Sequence, residues 1–409
     1  MKFLFNAPCY KPAYKQGGPL HSVSSLAEGL VQAGHEVVVS APNLDLGEHL
    51  DVDLGRDYDF GGVRVRFFNA APTVLQRTGI PYFARAGVYA VDPAYEAWLE
   101  VEAAEADVLH SHLTFIPENA PVSKYAIKHN KVYFYSQRGN LDPVRLEMGR
   151  WKKLAFIYLR EQLIMRRADA LLGLTRHEIK TFKRFAPRTR VEVIPNGISA
   201  HFSGTPAVDV SPSITSILSQ VEDLPVFFWM SRIHQTKGAD VFVDAAILAL
   251  NSGAKFHAVV SGPDEAGLED DLKGRVRGAK LGEYIHFTGP VSGDNRLALL
   301  KRADCFALPT VSEGLSMVIL EAMACGCAIL TSPGAYFDEI EVAGAGRILD
   351  RTVSAFSSAI EEYSSLGRAG LETIGVRGVD LIQSGYTWDS IVTDYVDLSK
   401  QIIKMKSVK

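Results

Sequence analysis

The chain has 409 residues, of which 47% are hydrophobic and 22% charged, and its formal net charge is −4. This length predicts two domains, because single hydrophobic cores stop growing beyond roughly 250–300 residues. The composition excludes disordered and collagenous proteins, and the balanced charge excludes a general nucleic-acid-binding surface. Four cysteines are too few for a disulfide framework, so we expect a reducing, cytoplasmic compartment.

The apolar run at the N-terminus, Met1–Ala7, stops at Pro8 and lacks the long hydrophobic region and the cleavage site of a secretory signal. It is typical of a first β-strand instead. Because no stretch of about 18 apolar residues occurs without a charge, no membrane-spanning helix is expected.

Short apolar, β-rich runs alternate with helical patterns along the whole chain, which is typical of repeated βαβ units and parallel sheets. Residues rich in Ser, Pro and Gly, between Ser199 and Pro225, predict a linker. We therefore predict an α/β protein with two doubly wound, Rossmann-like domains that face each other across a cleft, residues 1–203 and 204–386. The segment 387–409 carries one apolar helical face and is expected to pack back on the first domain. The predicted strands span residues 2–7, 36–41, 63–68, 107–110, 132–136, 169–174, 191–194, 225–230, 256–261, 284–288, 304–308 and 328–331.

The most informative segment is Ser312–Gly326, which follows a predicted strand. A helix that begins near Leu315, after a turn, directs backbone N–H groups and its positive end towards the carboxyl edge of the sheet, where an anion can bind. Glu313 lies at the start of this helix and Glu321 lies two turns inside it. A buried carboxylate needs hydrogen-bond donors, which sugar hydroxyls or an Arg or Lys can supply. Spacing alone leaves a ligand site and internal pairing equally open.

A second pair of charges lies in the loop after the strand at 225–230. Arg232 and Lys237 are well placed for a diphosphate, because parallel sheets bind ligands beyond the carboxyl ends of their strands. An ordinary exposed loop with two charges is the alternative.

In the first domain, the paired glycines Gly17 and Gly18 follow the first strand and permit close approach of a ligand to the backbone. Neither a GxGxxG nor a GxxxxGK[ST] motif occurs, which argues against dinucleotide and P-loop chemistry. His110 and His112 end another predicted strand, where a lone histidine is more often structural than catalytic.

Together these residues resemble the family-4 retaining glycosyltransferases of the GT-B fold, the group related to bacterial glycogen synthase and sucrose-phosphate synthase. The resemblance covers nearly the whole chain. Its motifs are Gly17–Gly18 with Gly34–Val37, Val193–Ile198, Ser231–Arg232 with Lys237–Gly238, and Glu313 with Glu321 as the two ends of the E-x7-E motif.

The resemblance implies a role for each matched residue. Arg232 and Lys237 would hold the donor diphosphate, Glu321 the ribose hydroxyls and Glu313 the transferred sugar. Arg138 stands where many members have a histidine that contacts the donor sugar, and is a substitute contact. The remaining donor-binding residues would be Gly17, Gly18, Gly289, Gly314, Leu315 and Ser316, and His110 and His112 are candidates on the acceptor side.

The implied reaction moves a sugar from a UDP- or GDP-sugar to a glycan or lipid-linked acceptor with retention, in bacterial polysaccharide assembly. Fixed cations and a helix N-terminus would stabilise the departing diphosphate, so no metal or other cofactor is expected. The DxD patterns at Asp51–Asp53 and Asp57–Asp59 lie in a polar region predicted as loop and are weak metal candidates. A two-lobed sugar-binding protein without catalysis and another sugar-nucleotide enzyme, an epimerase or a phosphorylase, are the alternatives.

One segment is strongly basic. Residues 145–190 contain 13 Lys or Arg against 4 Asp or Glu, with aromatic residues between them. Such a segment suits peripheral contact with anionic lipid headgroups at the inner face of the membrane. A solvated helix face whose apolar side is core explains the pattern equally well.

Overall fold

The computed structural model describes residues 1–72, 89–147, 149–204, 209–221 and 223–408. The chain divides into two compact units. Unit 1 comprises Met1–Gly197 and Trp388–Lys409, and unit 2 comprises Ile198–Thr387. The predicted boundary at 203/204 therefore lies six residues from the observed division.

Unit 1 is built on an eight-stranded sheet in the order β12-β11-β10-β9-β1-β2-β6-β5. All its neighbouring strands are parallel except β5 and β6. The central strands are buried on both faces, which explains their continuous apolar sequences. The strands of unit 1 are β1 (Lys2–Asn6), β2 (Glu36–Pro42), β3 (Leu44–Asp45), β4 (Glu48–His49), β5 (Asp57–Phe60), β6 (Val63–Phe68), β7 (Ala71–Pro72), β8 (Tyr89–Ala90), β9 (Val108–His112), β10 (Val132–Ser136), β11 (Ala170–Gly173) and β12 (Val191–Val193).

Helices cover the sheet of unit 1 and include a short π-helical segment, Ile157–Glu161. They are α1 (Gly18–Gln32), α2 (Pro93–Glu105), α3 (Asn119–Lys128), α4 (Pro143–Glu147), α5 (Arg150–Phe156), α6 (Gln162–Arg167) and α7 (Arg176–Phe185), with a 3-10 turn at Tyr14–Gln16.

The C-terminal helix of the chain, Trp388–Ser407, belongs to unit 1. Its Tyr395 is fully buried and contacts Phe3, Phe5 and Phe134 of the sheet. Gly29 leaves space for this helix, since a Cβ atom there would lie 2.8 Å from Val392. The apolar face read from the sequence is therefore part of the core of unit 1.

Unit 2 contains a six-stranded parallel sheet in the order β15-β14-β13-β16-β17-β18. Its strands are β13 (Val226–Met230), β14 (His257–Ser261), β15 (Ile285–Gly289), β16 (Cys305–Leu308), β17 (Ala328–Thr331) and β18 (Gly346–Ile348). Its helices are α8 (Pro212–Gln220), α9 (Ala239–Asn251), α10 (Glu269–Gly278), α11 (Gly293–Arg302), α12 (Met317–Ala324), α13 (Glu339–Val342), α14 (Val353–Ser365) and α15 (Gly367–Gly385). The C-terminal helix of unit 1, Trp388–Ser407, is numbered α16. Short 3-10 turns lie at Ala200–Ser203, Gln235–Lys237 and Pro333–Ala335.

The predicted α/β class with parallel sheets in two domains is confirmed. The linker prediction was wrong in part, because α8 forms within it and belongs to unit 2. The division falls earlier because Gly197 packs against Trp388 of unit 1: a Cβ atom on Gly197 would lie 2.6 Å from the Trp388 nitrogen. The next residue, Ile198, donates its N–H to Tyr386 O of unit 2 at 2.7 Å.

The acidic segment at Asp57–Asp59 was expected in a loop and instead forms strand β5. Asp57 accepts hydrogen bonds from Arg64 at 3.1 Å and from Arg66 at 2.5 Å on the neighbouring antiparallel strand. These ion pairs across the strands stabilise β5, and Tyr58 and Phe60, which alternate with the two aspartates, pack against the core of unit 1. None of the helices described has the length and apolar character needed to cross a bilayer.

Candidate functional site

In unit 2, the loops that follow β13 and β16 lie together because these two strands are neighbours in the sheet. Val311 N donates to Thr236 O at 2.8 Å, and this hydrogen bond joins the two loops directly. Gly238 has a φ of +74°, and a Cβ atom there would lie only 2.1 Å from Pro309 O. The glycine is therefore required for the close packing of these loops.

Lys237 and Glu313 form an ion pair where the two loops meet. Lys237 Nζ lies 2.6 Å from Glu313 Oε1, and each side chain is 11% exposed. Thr310 Oγ1 donates to the same carboxylate oxygen at 3.0 Å. Glu313 N donates to Gly334 O at 2.8 Å. The Glu313 carboxylate is thus held at the carboxyl edge of the sheet by a cation and a hydroxyl.

Arg232 has a different environment. Its side chain is 58% exposed and Nη1 donates to Glu265 Oε2 at 2.9 Å. Its loop is fixed by the neighbouring Gly262, where a Cβ atom would lie 1.7 Å from Ser231 O. The guanidinium is accessible to a ligand, and it does not join the cluster of Lys237, Glu313 and Thr310.

Gly314, Leu315 and Ser316 lead into α12, which begins at Met317 rather than near Leu315 as the sequence predicted. Ser316 is the N-cap residue and makes no side-chain capping bond. The first N–H groups of an α-helix lack intrahelical acceptors, so this helix start can donate to an anion. Ser312 Oγ, just before it, is buried and has no hydrogen-bond partner among the described residues.

Glu321 lies inside α12 with a side-chain exposure of 6% and forms an ion pair with Arg296. Burial raises the pKa of Glu321 to about 7, while Arg296 acts in the opposite direction. The Arg296 guanidinium also lies 5.7 Å from the ring centre of Phe202. Arg296 therefore supplies the hydrogen-bond donor that the buried Glu321 carboxylate requires.

Gly289 ends β15 with a φ of +69°, and no heavy atom lies within 4 Å of a Cβ atom built there. Its carbonyl accepts hydrogen bonds from Gly262 N at 3.0 Å and from Ser261 Oγ at 3.1 Å. The loop after Gly289, which the resemblance places among the donor-binding residues, thus leaves the same edge of the sheet as the β14 loop.

In unit 1, Gly17 has a φ of +67° and Gly18 is the first residue of α1. Open space surrounds both, since a Cβ atom at either position would meet no heavy atom within 4 Å. The exposed backbone at this helix start suits close approach of a ligand.

Arg138 follows β10 in the left-handed conformation, with a φ of 50°. Its guanidinium donates to Ser22 Oγ at 2.9 Å, to Asn196 Oδ1 at 3.2 Å and to His112 Nδ1 at 3.1 Å. Burial lowers the pKa of Arg138 to about 10. These three partners are polar but not anionic, so the guanidinium is fixed in position without a carboxylate hydrogen-bonded to it.

His110 and His112 are 1% and 0% exposed. His110 bonds to Tyr395 Oη at 3.0 Å and Ser136 Oγ at 2.8 Å. Burial holds the pKa of both rings well below the usual range. His110 is a core residue with both ring nitrogens engaged, so the suggestion that it contacts an acceptor is not supported by its surroundings. His112 is held against Arg138, whose guanidinium lies 3.1 Å from His112 Nδ1.

The aspartates of the two DxD patterns do not form a metal site with other described residues. Asp57 pairs with two arginines, and Asp59 Oδ1 accepts from Gly62 N at 3.1 Å. Within the described ranges, no group of three or more His, Cys, Asp or Glu side chains is arranged to hold a metal ion.

Sequence reasoning did not find Arg296 or Thr310, and it named Asn196 within a motif without finding its contact with Arg138. The need of a buried Glu321 for a donor was a signal for Arg296, but 25 residues separate the two, and only the packing of α11 beside α12 brings them together. Asn196 lies in a turn motif whose contact with Arg138 spans 58 residues.

Two family models match the chain. "Glycosyl transferase 4-like domain" matches residues 17–197 and "Glycosyl transferases group 1" matches residues 224–365. A D-inositol 3-phosphate glycosyltransferase of Salinispora tropica is 28% identical over 257 residues, which are 58% of this chain and 52% of that protein. The match thus spans about half the length of this curated relative.

Among solved structures, Anabaena HepE in complex with UDP has a TM-score of 0.73 at 17% identity, covering 98% of this chain and 100% of that one. Sucrose-phosphate synthase from Thermosynechococcus elongatus has a TM-score of 0.69 at 16% identity, covering 99% and 100%. At these identities the likeness concerns the fold, which is GT-B. The chain belongs to the family-4 glycosyltransferases of the GT-B fold.

Proposed function

We propose that this chain transfers a sugar from a nucleoside-diphosphate sugar to an acceptor hydroxyl. The observation that carries the proposal is the arrangement of Lys237, Glu313 and the start of α12 at the carboxyl edge of the unit 2 sheet. This is where parallel sheets bind ligands, and where a cation and a helix start can meet a diphosphate.

The donor is proposed to be a UDP- or GDP-sugar. Anabaena HepE, which shares the fold, was crystallised with UDP and with UDP-glucose. In this chain, Lys237 and the accessible Arg232 would contact the diphosphate, and Glu321 would accept hydrogen bonds from the ribose. For that contact the Glu321 carboxylate must be shared between the ribose hydroxyls and Arg296, with which it forms an ion pair.

The chemistry requires stabilisation of the leaving group. When the bond from the anomeric carbon to the diphosphate oxygen breaks, its electron pair leaves with the diphosphate. Fixed cations and a helix N-terminus stabilise that charge most in the transition state. These groups provide the charge stabilisation that a metal ion provides elsewhere, so we propose a reaction without a metal or other cofactor.

We further propose retention of the anomeric configuration. The acceptor hydroxyl would attack the face that the diphosphate leaves, while its proton passes to a diphosphate oxygen. Glu313 would then accept hydrogen bonds from hydroxyls of the transferred sugar, and Arg138 would contact the sugar from unit 1. Gly17 and Gly18 would approach the donor through their backbone.

The acceptor is proposed to be a glycan or a lipid-linked saccharide in bacterial polysaccharide assembly, in the cytoplasm or at the inner face of the membrane. All four cysteines are free thiols, and Cys9, Cys305 and Cys327 are buried. Unpaired cysteines suit a reducing compartment.

Release of nucleoside diphosphate from a panel of UDP- and GDP-sugars, with glycan and lipid-linked acceptors, tests the proposal. We expect one donor to react, Lys237→Met to abolish most of the turnover, and the product to keep the anomeric configuration of the donor by NMR. Binding without turnover across the panel would indicate a sugar-binding protein. Formation of a sugar phosphate, or of an isomer still attached to its nucleotide, would indicate a phosphorylase or an epimerase.

A further inference from the structure

The helical segment formed by α5, the π-helical turn and α6 presents apolar side chains to solvent. Trp151 is 81% exposed, Leu159 is 84% exposed and Leu163 is 51% exposed. They recur at spacings of four or eight residues, with the exposed Ala155 between them. Side chains four residues apart share one face of a helix, so these form an apolar stripe.

The opposite face of the same segment is already core. Ile157 and Met165 are fully buried and Ile164 is 3% exposed. A surface helix ordinarily places polar residues opposite its buried face. Here the outward stripe is apolar as well, which packing of unit 1 does not explain.

Strong positive charge surrounds the stripe. Residues 145–190 carry 13 basic and 4 acidic side chains. Two of the acids, Glu161 and Glu178, are buried, and Asp169 forms an ion pair with Lys406 at 2.8 Å. The exposed basic side chains of the segment are Arg150, Lys152, Arg166, Arg167, Arg176, Lys180, Lys183, Arg184 and Arg188.

Contacts bring α7 to the same surface as the stripe-bearing segment. Gln162 Nε2 donates to Phe185 O at 2.9 Å, and the rings of Tyr158 and Phe185 have centres 5.8 Å apart. Arg166 and Arg188 line one depression of about 720 Å³, and Arg150 and Arg184 line another of about 110 Å³. Each depression is thus lined by one arginine of the stripe-bearing segment and at least one arginine of α7 or the loop after it, together with a single acid, Asp169 in the first and Glu147 in the second.

We propose that this face, the docking face formed by α5 to α7, binds an anionic lipid bilayer. Trp151, Leu159 and Leu163 enter the interfacial region, and the surrounding arginines and lysines contact headgroup phosphates. Charge complementarity selects this occupant, because an anionic membrane offers phosphates around an apolar phase. The exposed Trp151, at the N-terminal end of the stripe, suits the boundary between the two.

The proposal deepens the proposed function, because a bilayer that holds a lipid-linked acceptor would be reached through this face. Its test does not require turnover. The full-length protein is mixed with vesicles of phosphatidylcholine alone or with one third phosphatidylglycerol, and the bound fraction is measured by flotation.

We expect binding to the anionic vesicles at least tenfold tighter than to phosphatidylcholine, weakening with added salt. Leu159→Glu should reduce the affinity by at least tenfold. The same substitution at a 45% exposed leucine of unit 2, Leu248→Glu, should leave the affinity unchanged. The pair Arg166→Gln with Arg188→Gln should reduce affinity by roughly 25-fold, about fivefold for each cation. The pair Lys255→Gln with Lys280→Gln serves as its control.

Thermal unfolding and calorimetric titration with nucleoside diphosphate show whether each variant remains folded and retains its nucleotide site. Equal binding of wild type and Leu159→Glu would overturn the docking proposal, as would equal binding to both vesicle types. Self-association of the wild type in sedimentation, abolished by Leu159→Glu and without vesicle binding, would assign the stripe to a protein contact instead. If nucleoside diphosphate does not bind to the wild type, the result counts against the proposed function and not against docking.

Discussion

Lys237 Nζ lies 2.6 Å from Glu313 Oε1, with 11% of each side chain exposed, at the junction of two loops that leave neighbouring parallel strands. The pair satisfies two charges that the fold holds largely away from water. It also places a cation and a carboxylate side by side at one edge of the sheet. The same two side chains therefore stabilise the junction of the loops and lie where we propose that the donor binds.

A double-mutant cycle on this pair tests its structural role. Lys237→Met leaves the Glu313 carboxylate with Thr310 alone, and removal of one partner of a buried ion pair costs roughly 3–5 kcal/mol. We expect the double variant Lys237→Met with Glu313→Gln to be more stable than Lys237→Met, as measured by urea unfolding. Additive effects of the two substitutions would show that the side chains are not coupled.

The ionisation of Glu321 predicts a pH dependence of nucleotide binding. Burial raises its pKa to about 7, and only the ionised carboxylate can accept hydrogen bonds through both oxygens. We expect the affinity for nucleoside diphosphate to rise between pH 6 and pH 8. Glu321→Gln, titrated with the same nucleotide, should show only the pH dependence of the nucleotide phosphates, and the same slope in both proteins would contradict a role for Glu321.

Arg138 is expected to affect turnover more than nucleotide binding. Its planar guanidinium contacts Ser22, His112 and Asn196 at once, a geometry that a lysine ammonium cannot reproduce. We expect Arg138→Lys to lower kcat by roughly ten- to a hundredfold, consistent with the loss of about 1.5–3 kcal/mol from a charge-assisted contact. Nucleotide affinity should stay within a factor of three. Arg56→Lys, at a 71% exposed arginine of unit 1, is the matched control, and unchanged kcat in Arg138→Lys would remove this residue from the site.

The raised pKa of Glu161 predicts that the stability of the folded protein falls as pH rises. Burial raises its pKa from the ordinary 4.5 to about 7, so folding favours the protonated carboxyl, which accepts a hydrogen bond from Tyr135 Oη at 2.6 Å. This contribution is complete below pH 4.5 and is lost as pH rises to about 7, a change of roughly 3 kcal/mol.

Glu161→Gln should therefore unfold with a smaller decrease in midpoint temperature between pH 5 and pH 8 than the wild type. Glu147→Gln, at an exposed glutamate of the same unit, should behave as the wild type. If both variants and the wild type show parallel curves, the Glu161 carboxyl is ionised in the folded protein throughout this range.

Much of the fold follows from local sequence. Buried parallel strands such as β1 and β13 are short apolar runs because both of their faces are covered. Strand β5 and helix α8 escaped prediction for different reasons. Strand β5 combines ion pairs to the arginines of β6 with two aromatic residues that pack on the core, and α8 forms within a Ser- and Pro-rich stretch that belongs to unit 2.

The sequence indicated which residues belong to the candidate site, but not which partners their side chains contact. Glu313 and Lys237 could be placed in neighbouring loops, but the partner of Glu321 is Arg296, and that of His110 is Tyr395, 285 residues away. Side-chain burial at such distances in sequence depends on tertiary packing. For that reason His110 proved to be a core residue although its position at a strand end suggested a ligand contact.

Calorimetric titration of UDP and GDP into the wild-type protein, Lys237→Met and Lys255→Met tests the central claim most directly. We expect saturable binding of one diphosphate to the wild type and to the exposed-lysine control, with affinity reduced by roughly ten- to a hundredfold in Lys237→Met, as expected for one charge-assisted contact. Binding of neither nucleotide to the wild type, or equal binding to all three proteins, would contradict a diphosphate site at Lys237 and the start of α12.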